Sequence, residues 1–452
     1  MNTSHSGSTK DHHLDSERSL ALRRAAKASF IGNFIEWFDY ASYGYLVTVI
    51  GHAFFPEADK SVQLLSTYAV FAMSFILRPI GAVVWGAWGD RWGRRWALSW
   101  SILIMSGSTF FIGLLPTYSV IGMASAIGLL VLRMIQGFSA SGEYAGAGTF
   151  LAEYAPPSRR GIYTSLVPAS TACGLLAGSL TVTGMFTVLS DNAINTWGWR
   201  VPFLLAGPLG LIGRYIRVHL EDSPAYQEMR AEMPQEQKTA SWSEPLRLLL
   251  HDHLRETLIT FGVSCLNAVA FYMLLTYMPT YVHEELGFSQ DTSTLATSVM
   301  LVVYIAAIFL MGHLSDSFGR RRMLIAACVA FIVLTIPLFV VMMKAAGMLA
   351  VVILCEIVFA IALTANDGTL ATFLAESFPT NVRYSGFALS FNGANALLGG
   401  TTPFIVTWLI KVTGSSLAPA VYLTVIAMIA MVAILRSRMI HGSELTEDQA
   451  QS

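Results

Sequence analysis

The stretch Gly86-Ala-Trp-Gly-Asp90-Arg91-Trp-Gly93-Arg94-Arg95 returns in degraded form as Gly312-His-Leu-Ser-Asp316-Ser-Phe-Gly319-Arg320-Arg321. Both copies sit between strongly apolar stretches. One charged loop repeated at matching places in two hydrophobic halves describes a duplicated membrane bundle. Composition agrees, with 54% hydrophobic and 13% charged residues and a mean hydropathy of +0.56. A soluble domain carries roughly 25% charged residues. The net charge of -1 gives no basis for a nucleic acid partner. Cys173, Cys265, Cys328 and Cys355 all lie in apolar stretches without metal-ligand spacing, so neither disulfides nor a metal site is expected. Residues 1–27 form a polar tail, His12 and His13 included, without the apolar core of a signal peptide.

A helix needs about 20 apolar residues to cross the hydrocarbon core, and twelve stretches qualify. The expected spans are 28–52, 64–88, 97–116, 123–151, 162–187 and 200–218, then 257–282, 292–314, 323–343, 349–374, 386–411 and 417–436. The predicted fold is therefore all-α, two six-helix bundles related by a pseudo-twofold axis. Basic residues resist translocation. With the N-terminus inside, the outer loops hold only Lys60, Arg200, Lys344 and Lys411; Arg78 and Arg133 lie within spans, and the rest of the 28 lysines and arginines fall on the inner side. Both termini are thus expected in the cytoplasm. The bundles occupy 28–220 and 256–438, separated by a polar central loop at 221–255 and followed by a short tail at 439–452. The central loop reads as a linker, within which Trp242 to Leu250 can form a short amphipathic helix at the lipid surface.

Ionisable groups inside a bilayer are costly unless paired or wetted. On the first helix Asn33, Glu36, Asp39, Tyr40 and Tyr43 fall on one stripe, which must face the bundle interior. Asp39 and Arg133 reach similar depths, near the middle, and are expected to pair. Losing that contact during rocking would let the carboxyl take a proton, coupling proton entry to conformation; a fixed ion pair joining the first and fourth helices is the structural alternative. Arg78 is placed to meet Glu36, Glu143 or an anionic substrate group, or else to snorkel toward the inner headgroups. In the second half Glu356 is expected to be wet near the outer end. Asp367-Gly368 lies deeper, beside Asn366, with Asn392 and Asn395 on the next helix. Gly137, Gly142, Gly146 and Gly148 allow close helix approach, and Pro168 and Gly174 interrupt the fifth helix. The repeated loop supplies Asp90, Arg91 and Arg94 in one half and Asp316 and Arg320 in the other. Glu153 with Arg160, and Glu376 with Arg383, repeat the acid and arginine theme after the fourth and tenth helices. These groups read as cytoplasmic latches.

These residues resemble the major facilitator superfamily, whose loop signature Gly-x-x-x-Asp-Arg-x-Gly-Arg-Arg is matched in full from Gly86 to Arg95. Gly32-Asn33-Phe-Ile-Glu36-Trp37-Phe-Asp39, Arg78-Pro79-Ile-Gly81 and Gln136-Gly137-Phe-Ser-Ala-Ser-Gly142-Glu143-Tyr144 are similar to the metabolite/proton symporter family. Within it, Phe271-Tyr272-Met-Leu-Leu-Thr-Tyr277-Met-Pro279-Thr-Tyr281 and Glu153-Tyr-Ala-Pro resemble the proline/betaine osmolyte symporters. The resemblance implies uptake of a small zwitterion such as proline or glycine betaine together with a proton, by alternating access. Some osmolyte members carry a long heptad-bearing C-terminal tail; this sequence does not, so osmotic regulation by that device is not implied. Arg133 and Asp367 also add charge beyond what that subgroup implies, leaving room for an anionic substrate.

The expected proton-coupling residues are Asp39, Glu36 and Arg133. Asn33, Trp37, Tyr40, Tyr43, Arg78, Gln136, Glu143, Tyr272, Tyr277, Asn366 and Asn392 are expected to bind substrate. Trp37, Tyr40, Tyr43, Tyr272 and Tyr277 offer aromatic faces for a quaternary ammonium. Proton-coupled uptake of an organic acid such as 2-oxoglutarate or citrate, which would draw on Arg78 and Arg133, is the alternative, and an uncoupled facilitator the second. No nucleotide loop, metal cluster or nucleophile elbow supports an enzyme. The expected partners are a small molecule, a proton and the lipid of a bacterial inner membrane, for a monomer without cofactor.

Overall fold

The computed structural model describes residues 26–437 except 28, 57, 93, 219–248, 250, 346 and 379–381, with the backbone alone at 86–92, 94–95, 97–98, 150, 153–154, 217 and 384. The tails, most of the central loop and the proposed amphipathic stretch at 242–250, Leu249 apart, thus lie outside the described residues. Helix follows helix, with no strand among the described residues. We number the helical runs α1 (29–54, with a turn at Leu46), α2 (Lys60–Ile76 and Arg78–Trp92), α3 (Arg94–Leu114), α4 (Met123–Ala140 and Glu143–Tyr154), α5 (Arg160–Thr164 and Leu166–Val188) and α6 (Arg200–Val218). There follow α7 (Leu254–Tyr272, a π-helical turn Met273–Tyr277, and Met278–Glu284), α8 (Gln290–Phe318), α9 (Arg320–Lys344) and α10 (Leu349–Glu376). The series closes with α11 (Arg383–Ala394, a π-helical turn Asn395–Gly399, and Thr402–Thr413) and α12 (Ala418–Arg436). Among the described residues, nine helices are long and apolar enough to cross a membrane.

Several helices outrun the apolar windows that predict them. α8 continues to Phe318 and α2 to Trp92, each about a turn past the expected span. Polar residues end an apolar window without breaking the i to i−4 hydrogen-bond ladder, so the rods project beyond the hydrocarbon. Turn chemistry then fixes the true ends. Asp59 caps α2 by accepting from Val62 N at 3.1 Å, and Gly319 separates α8 from α9 at φ +92°, a conformation that disfavours any side chain. Gly319 is the sequence counterpart of Gly93 in the first loop copy.

The interior packs polar and charged residues among apolar ones, and many large apolar side chains face outward. Phe111, Leu310, Val333, Leu354 and Val432 are exposed, whereas Asn33, Asp39, Arg133, Gln136, Glu356 and Asp367 are buried. That inversion suits a lipid solvent. Because successive helices alternate direction, the first and last described residues share one end of the bundle, here the terminal end; the loops after α1, α3, α5, α7, α9 and α11 share the far end.

The two halves of the chain touch at both ends. At the far end the Tyr45 hydroxyl donates to Leu275 O at 2.7 Å, Tyr68 and Thr280 hydroxyls meet at 2.8 Å, and Lys60 pairs with Glu284 at 2.8 Å. At the terminal end Asp316 accepts from the backbone N–H groups of Gly161 at 2.8 Å and Ile162 at 3.2 Å. Thr164 and Thr372 meet there at 2.6 Å, and nearer the middle Asn392 donates to Ser141 O at 3.1 Å. The conformation is closed at both ends.

Close helix crossings make this packing possible. A Cβ on Gly137 of α4 would lie 1.6 Å from Ser74 O of α2, against backbone that has no rotamer to yield. Gly137→Val is therefore expected to destabilise the protein by more than the about 1–3 kcal/mol typical of overpacking, read as lost monodisperse protein and a lowered Tm in detergent. Gly107→Ala, where nothing lies within 4 Å of the added atom, should leave Tm unchanged or higher.

Candidate functional site

The interior stripe of α1 meets α2, α4 and α7 in a cluster of rings and guanidinium groups. Trp37 lies 4.9 Å from Phe271 and 5.7 Å from Tyr272 between ring centroids; Tyr272 in turn stands edge-on to Phe75 at 5.1 Å. Tyr40 completes the wall at 5.6 Å from Trp37 and 5.3 Å from Phe75. Residues of both halves thus share one aromatic chamber. The Trp37 Nε1 and the Tyr272 hydroxyl are buried in it without a hydrogen-bond partner. Buried orphan donors of this kind are rare in finished packing and mark places where another molecule or water completes the structure.

Two arginines press on these rings. Arg78 pairs with Glu36 at 2.6 Å and lies 4.5 Å from the Phe75 centroid and 5.1 Å from that of Tyr40. Arg133 sits over Tyr43 at 4.2 Å, with Tyr40 at 5.0 Å and Phe71 at 5.2 Å. Each such contact contributes about 0.5–2 kcal/mol, more when desolvated. The expected Arg78–Glu36 encounter is present, and Arg78 at 3% exposed does not snorkel.

The expected Asp39–Arg133 ion pair is absent in this closed state, and a relay of neutral groups stands between the two. Arg133 donates to Gln136 Oε1, Gln136 Nε2 donates to Thr109 Oγ1 at 2.8 Å, and Thr109 Oγ1 donates to Asp39 Oδ2 at 3.0 Å. The helices hold Asp39 against α3, while the faces of Tyr40 and Tyr43 draw Arg133 aside. Thr109 escaped the sequence reading because a threonine in an apolar helix ordinarily bonds its own backbone, as Thr109 also does to Met105 O at 3.2 Å.

Other expected binding residues are distributed more widely. Asn33 is occupied within the first half, donating to Val167 O at 3.0 Å, Ser170 Oγ at 3.1 Å and Thr171 Oγ1 at 2.7 Å, so it clasps α1 to α5. Tyr43 donates to Thr67 O at 2.9 Å and offers its ring to Arg133. Tyr277 lies away from the chamber, at the end of the π-helical segment of α7, in a far-end cleft with Lys60, Leu64, Thr280, Glu284 and Lys411. Asn392 bridges the halves at Ser141, and Glu143 is buried nearby on α4. Asn366 donates to Asp367 Oδ1 at 3.0 Å.

Asp367 proves better supported than its sequence context reveals. Asn267 Nδ2 donates to it at 2.7 Å and the Tyr304 hydroxyl at 2.5 Å, three neutral donors in all counting Asn366, with no cation paired to it among the described residues. Tyr144 lies within electrostatic reach of both Asp367 and Tyr272, and its ring stacks on Phe391 at 4.3 Å. Asn267 and Tyr304 were legible as lone polar residues within apolar spans. The first half thus brings guanidinium groups to the centre, and the second brings a carboxylate.

The latch residues divide by what is described. Asp90, Arg91, Arg94 and Glu153 have side chains outside the described residues. Asp316 pairs with Arg320 at 2.7 Å, and Glu376 lies 3.5 Å from Arg320 and 3.6 Å from Arg160. Arg160 Nε also donates to Ala152 O at 3.1 Å, and Arg383 Nε to Ala375 O at 2.9 Å. The same backward hook therefore closes the same loop in both halves, a three-dimensional trace of the sequence duplication. Among the described residues, no group of three or more His, Cys, Asp or Glu side chains could hold a metal.

Residues 29–403 and 260–449 match the family model of the Major Facilitator Superfamily. The chain is 38% identical to the glycine betaine/proline/ectoine/pipecolic acid transporter OusA of Dickeya dadantii over 416 residues, 91% of this chain and 82% of that protein. It is 37% identical to the proline/betaine transporter of Escherichia coli K12 over 417 residues, again 91% and 82%. In fold it is similar to the proton:xylose symporter XylE bound to 6-bromo-6-deoxy-D-glucose, with a TM-score of 0.75 at 20% identity over 96% of this chain and 99% of that one. A partially occluded inward-open form of the E. coli xylose transporter XylE gives 0.72 at 18% identity, covering 94% and 99%. A charged loop duplicated in sequence and hooked alike in space, a closed helical bundle and these matches agree: the chain belongs to the Major Facilitator Superfamily, among its proline/betaine-type transporters.

Proposed function

We propose that the protein is a proton-coupled symporter importing a small zwitterionic osmolyte, proline or glycine betaine, by alternating access across a bacterial inner membrane. The observation that carries the reading is the seating of two guanidinium groups on the faces of Tyr40, Tyr43, Phe71 and Phe75. Rings that accept a guanidinium accept a quaternary ammonium by the same electrostatics, and a guanidinium released from them is a bidentate partner for a carboxylate. A zwitterion carries both groups. The names of the relatives and their coverage of this chain support the same substrate class.

On this reading α1 to α12 are twelve membrane spans, in bundles at 28–220 and 256–438 joined by the loop at 221–255, and the terminal end faces the cytoplasm with both tails. The positive-inside distribution of lysine and arginine supports that orientation. One chain suffices, without a cofactor, the proton gradient supplying the drive. Asp39 is the proton carrier. Its Oδ1 is buried without a partner, and Oδ2 leans on a hydroxyl instead of a cation, so a proton can be taken without breaking an ion pair. Substrate binding that draws Arg133 or Arg78 off the rings changes the charge beside Asp39, and the Gln136–Thr109 relay transmits the change.

Asp39→Asn is expected to abolish accumulation against a gradient while leaving exchange of labelled for unlabelled substrate in place; undiminished accumulation would remove Asp39 from coupling. Trp37→Leu should raise the half-saturating glycine betaine concentration about 2- to 30-fold, corresponding to about 0.5–2 kcal/mol of ring contact. Parallel uptake of labelled glycine betaine, proline, 2-oxoglutarate and citrate decides the substrate class. Preference for either acid would overturn the zwitterion reading, and uptake indifferent to collapse of the proton gradient would overturn coupling.

A further inference from the structure

Glu356 on α10, expected to be wet, is the most isolated acid among the described residues. It is 0% exposed, and neither carboxylate oxygen has a hydrogen-bond partner. It lies about two turns, roughly 10 Å, from Leu349 at the far end of α10. Thr297 of α8 is beside it, its own hydroxyl also unpartnered. The titratable groups within reach are Tyr45 of α1 and the neighbouring Cys355; no lysine, arginine or histidine forms an ion pair with it among the described residues.

Tyr45 is also the residue through which α1 closes on the second half. Its hydroxyl donates to Leu275 O at 2.7 Å, and its carbonyl accepts from Gln290 Nε2 at 3.3 Å. An acid with no ion-paired cation, and with the Thr297 hydroxyl as the one donor beside it among the described residues, therefore lies within electrostatic reach of the residue that shuts the far end. A carboxylate ion stranded in such a place costs several kcal/mol, whereas the neutral acid costs only what a buried hydroxyl does. Closure and protonation are linked for that reason.

We propose that Glu356 is a second proton-binding site, separate from Asp39, which must be occupied before the far end can close around Tyr45. The inference rests on the transport reading, in which the far end faces outward. When Tyr45 leaves Leu275, outside water reaches the carboxylate and a hydronium ion delivers the proton that forms its O–H bond. When the gap closes, water is expelled and only the neutral acid is buried. External acid thus favours closure whether or not a gradient exists.

The test uses the full-length protein in proteoliposomes with equal pH on both sides, following glycine betaine counterflow from pH 5.5 to 9. Wild type should slow at least tenfold toward alkaline pH, whereas Glu356→Gln, permanently neutral, should keep its acid-side rate throughout. A wild type without alkaline decline, or a Glu356→Gln variant that declines equally, overturns the proposal. Absence of counterflow with either osmolyte would instead count against the transport reading, and a second measurement then decides the site. Thr276 of α7 is buried against Gly44 of α1 with its hydroxyl unpartnered, so Thr276→Cys breaks no hydrogen bond. Labelling of that cysteine by a membrane-impermeant maleimide, corrected for the native thiols, should slow more steeply as outside pH falls when Glu356 is present than when it is glutamine, the slope common to both being the loss of thiolate. Equal pH dependence in both overturns the proposal, and Glu356→Leu serves in the same assay should the glutamine variant fail to fold.

Discussion

Two guanidinium groups with no route to water govern the centre of this molecule. Arg78 and Arg133 are 3% and 0% exposed, and an arginine so placed must find its solvation in the protein. Glu36 supplies a counter-charge for one and Gln136 a dipole for the other, while aromatic faces solvate both. The need to wrap two cations explains why α1, α2 and α7 bring Tyr40, Tyr43, Phe71, Phe75 and Tyr272 together. A binding site for a charged solute and the solvation shell of these arginines are one construction.

The second half answers with opposite charge and weaker ties. Asp367 is held by hydroxyl and amide donors alone, and Glu356 by no hydrogen bond. Neutral donors orient a carboxylate without cancelling its charge. The contacts across the middle of the bundle are accordingly ring packing and single hydrogen bonds, such as Asn392 to Ser141, whereas the ionic contacts between the halves lie at the ends. Halves joined in this way can separate at one end while remaining in register at the other.

Much of this was legible in the sequence because membranes restrict what a helix can carry. The run from Asn33 to Tyr43 and the isolated Arg78 and Arg133 declared an interior face, since no other location is tolerable for them. The repeated loop declared the duplication, and Arg160 and Arg383 turn out to make matching hooks. What remained hidden was partner choice. Asp39 and Arg133 lie at compatible depths, yet whether they touch depends on side-chain direction and on Thr109 and Gln136 filling the gap. Asn33 reads as a ligand, and in the structure its Nδ2 clasps residues on α5, remote in sequence, while its Oδ1 keeps no partner among the described residues. Tyr277 followed the α7 motif but was carried out of the chamber by a π-helical turn, which hydropathy does not register. Glu356 was misjudged because distance along a helix says how deep a residue lies and nothing about which neighbours cover it.

The terminal-end contacts have a consequence for how easily the bundle can part. Asp316 faces N–H groups of the opposite half but keeps Arg320 on its own side; Glu376 likewise retains Arg320, and Arg160 retains the carbonyl of Ala152. Separation would therefore strip Asp316 of two backbone N–H ligands and part Arg160 from Glu376, and orphan none of these ions. A door whose hardware stays fully mounted on its own frame can swing repeatedly, and the barrier to that swing is set by backbone amides and a loose 3.6 Å pair instead of by the desolvated charge the same residues would present if each had a single partner.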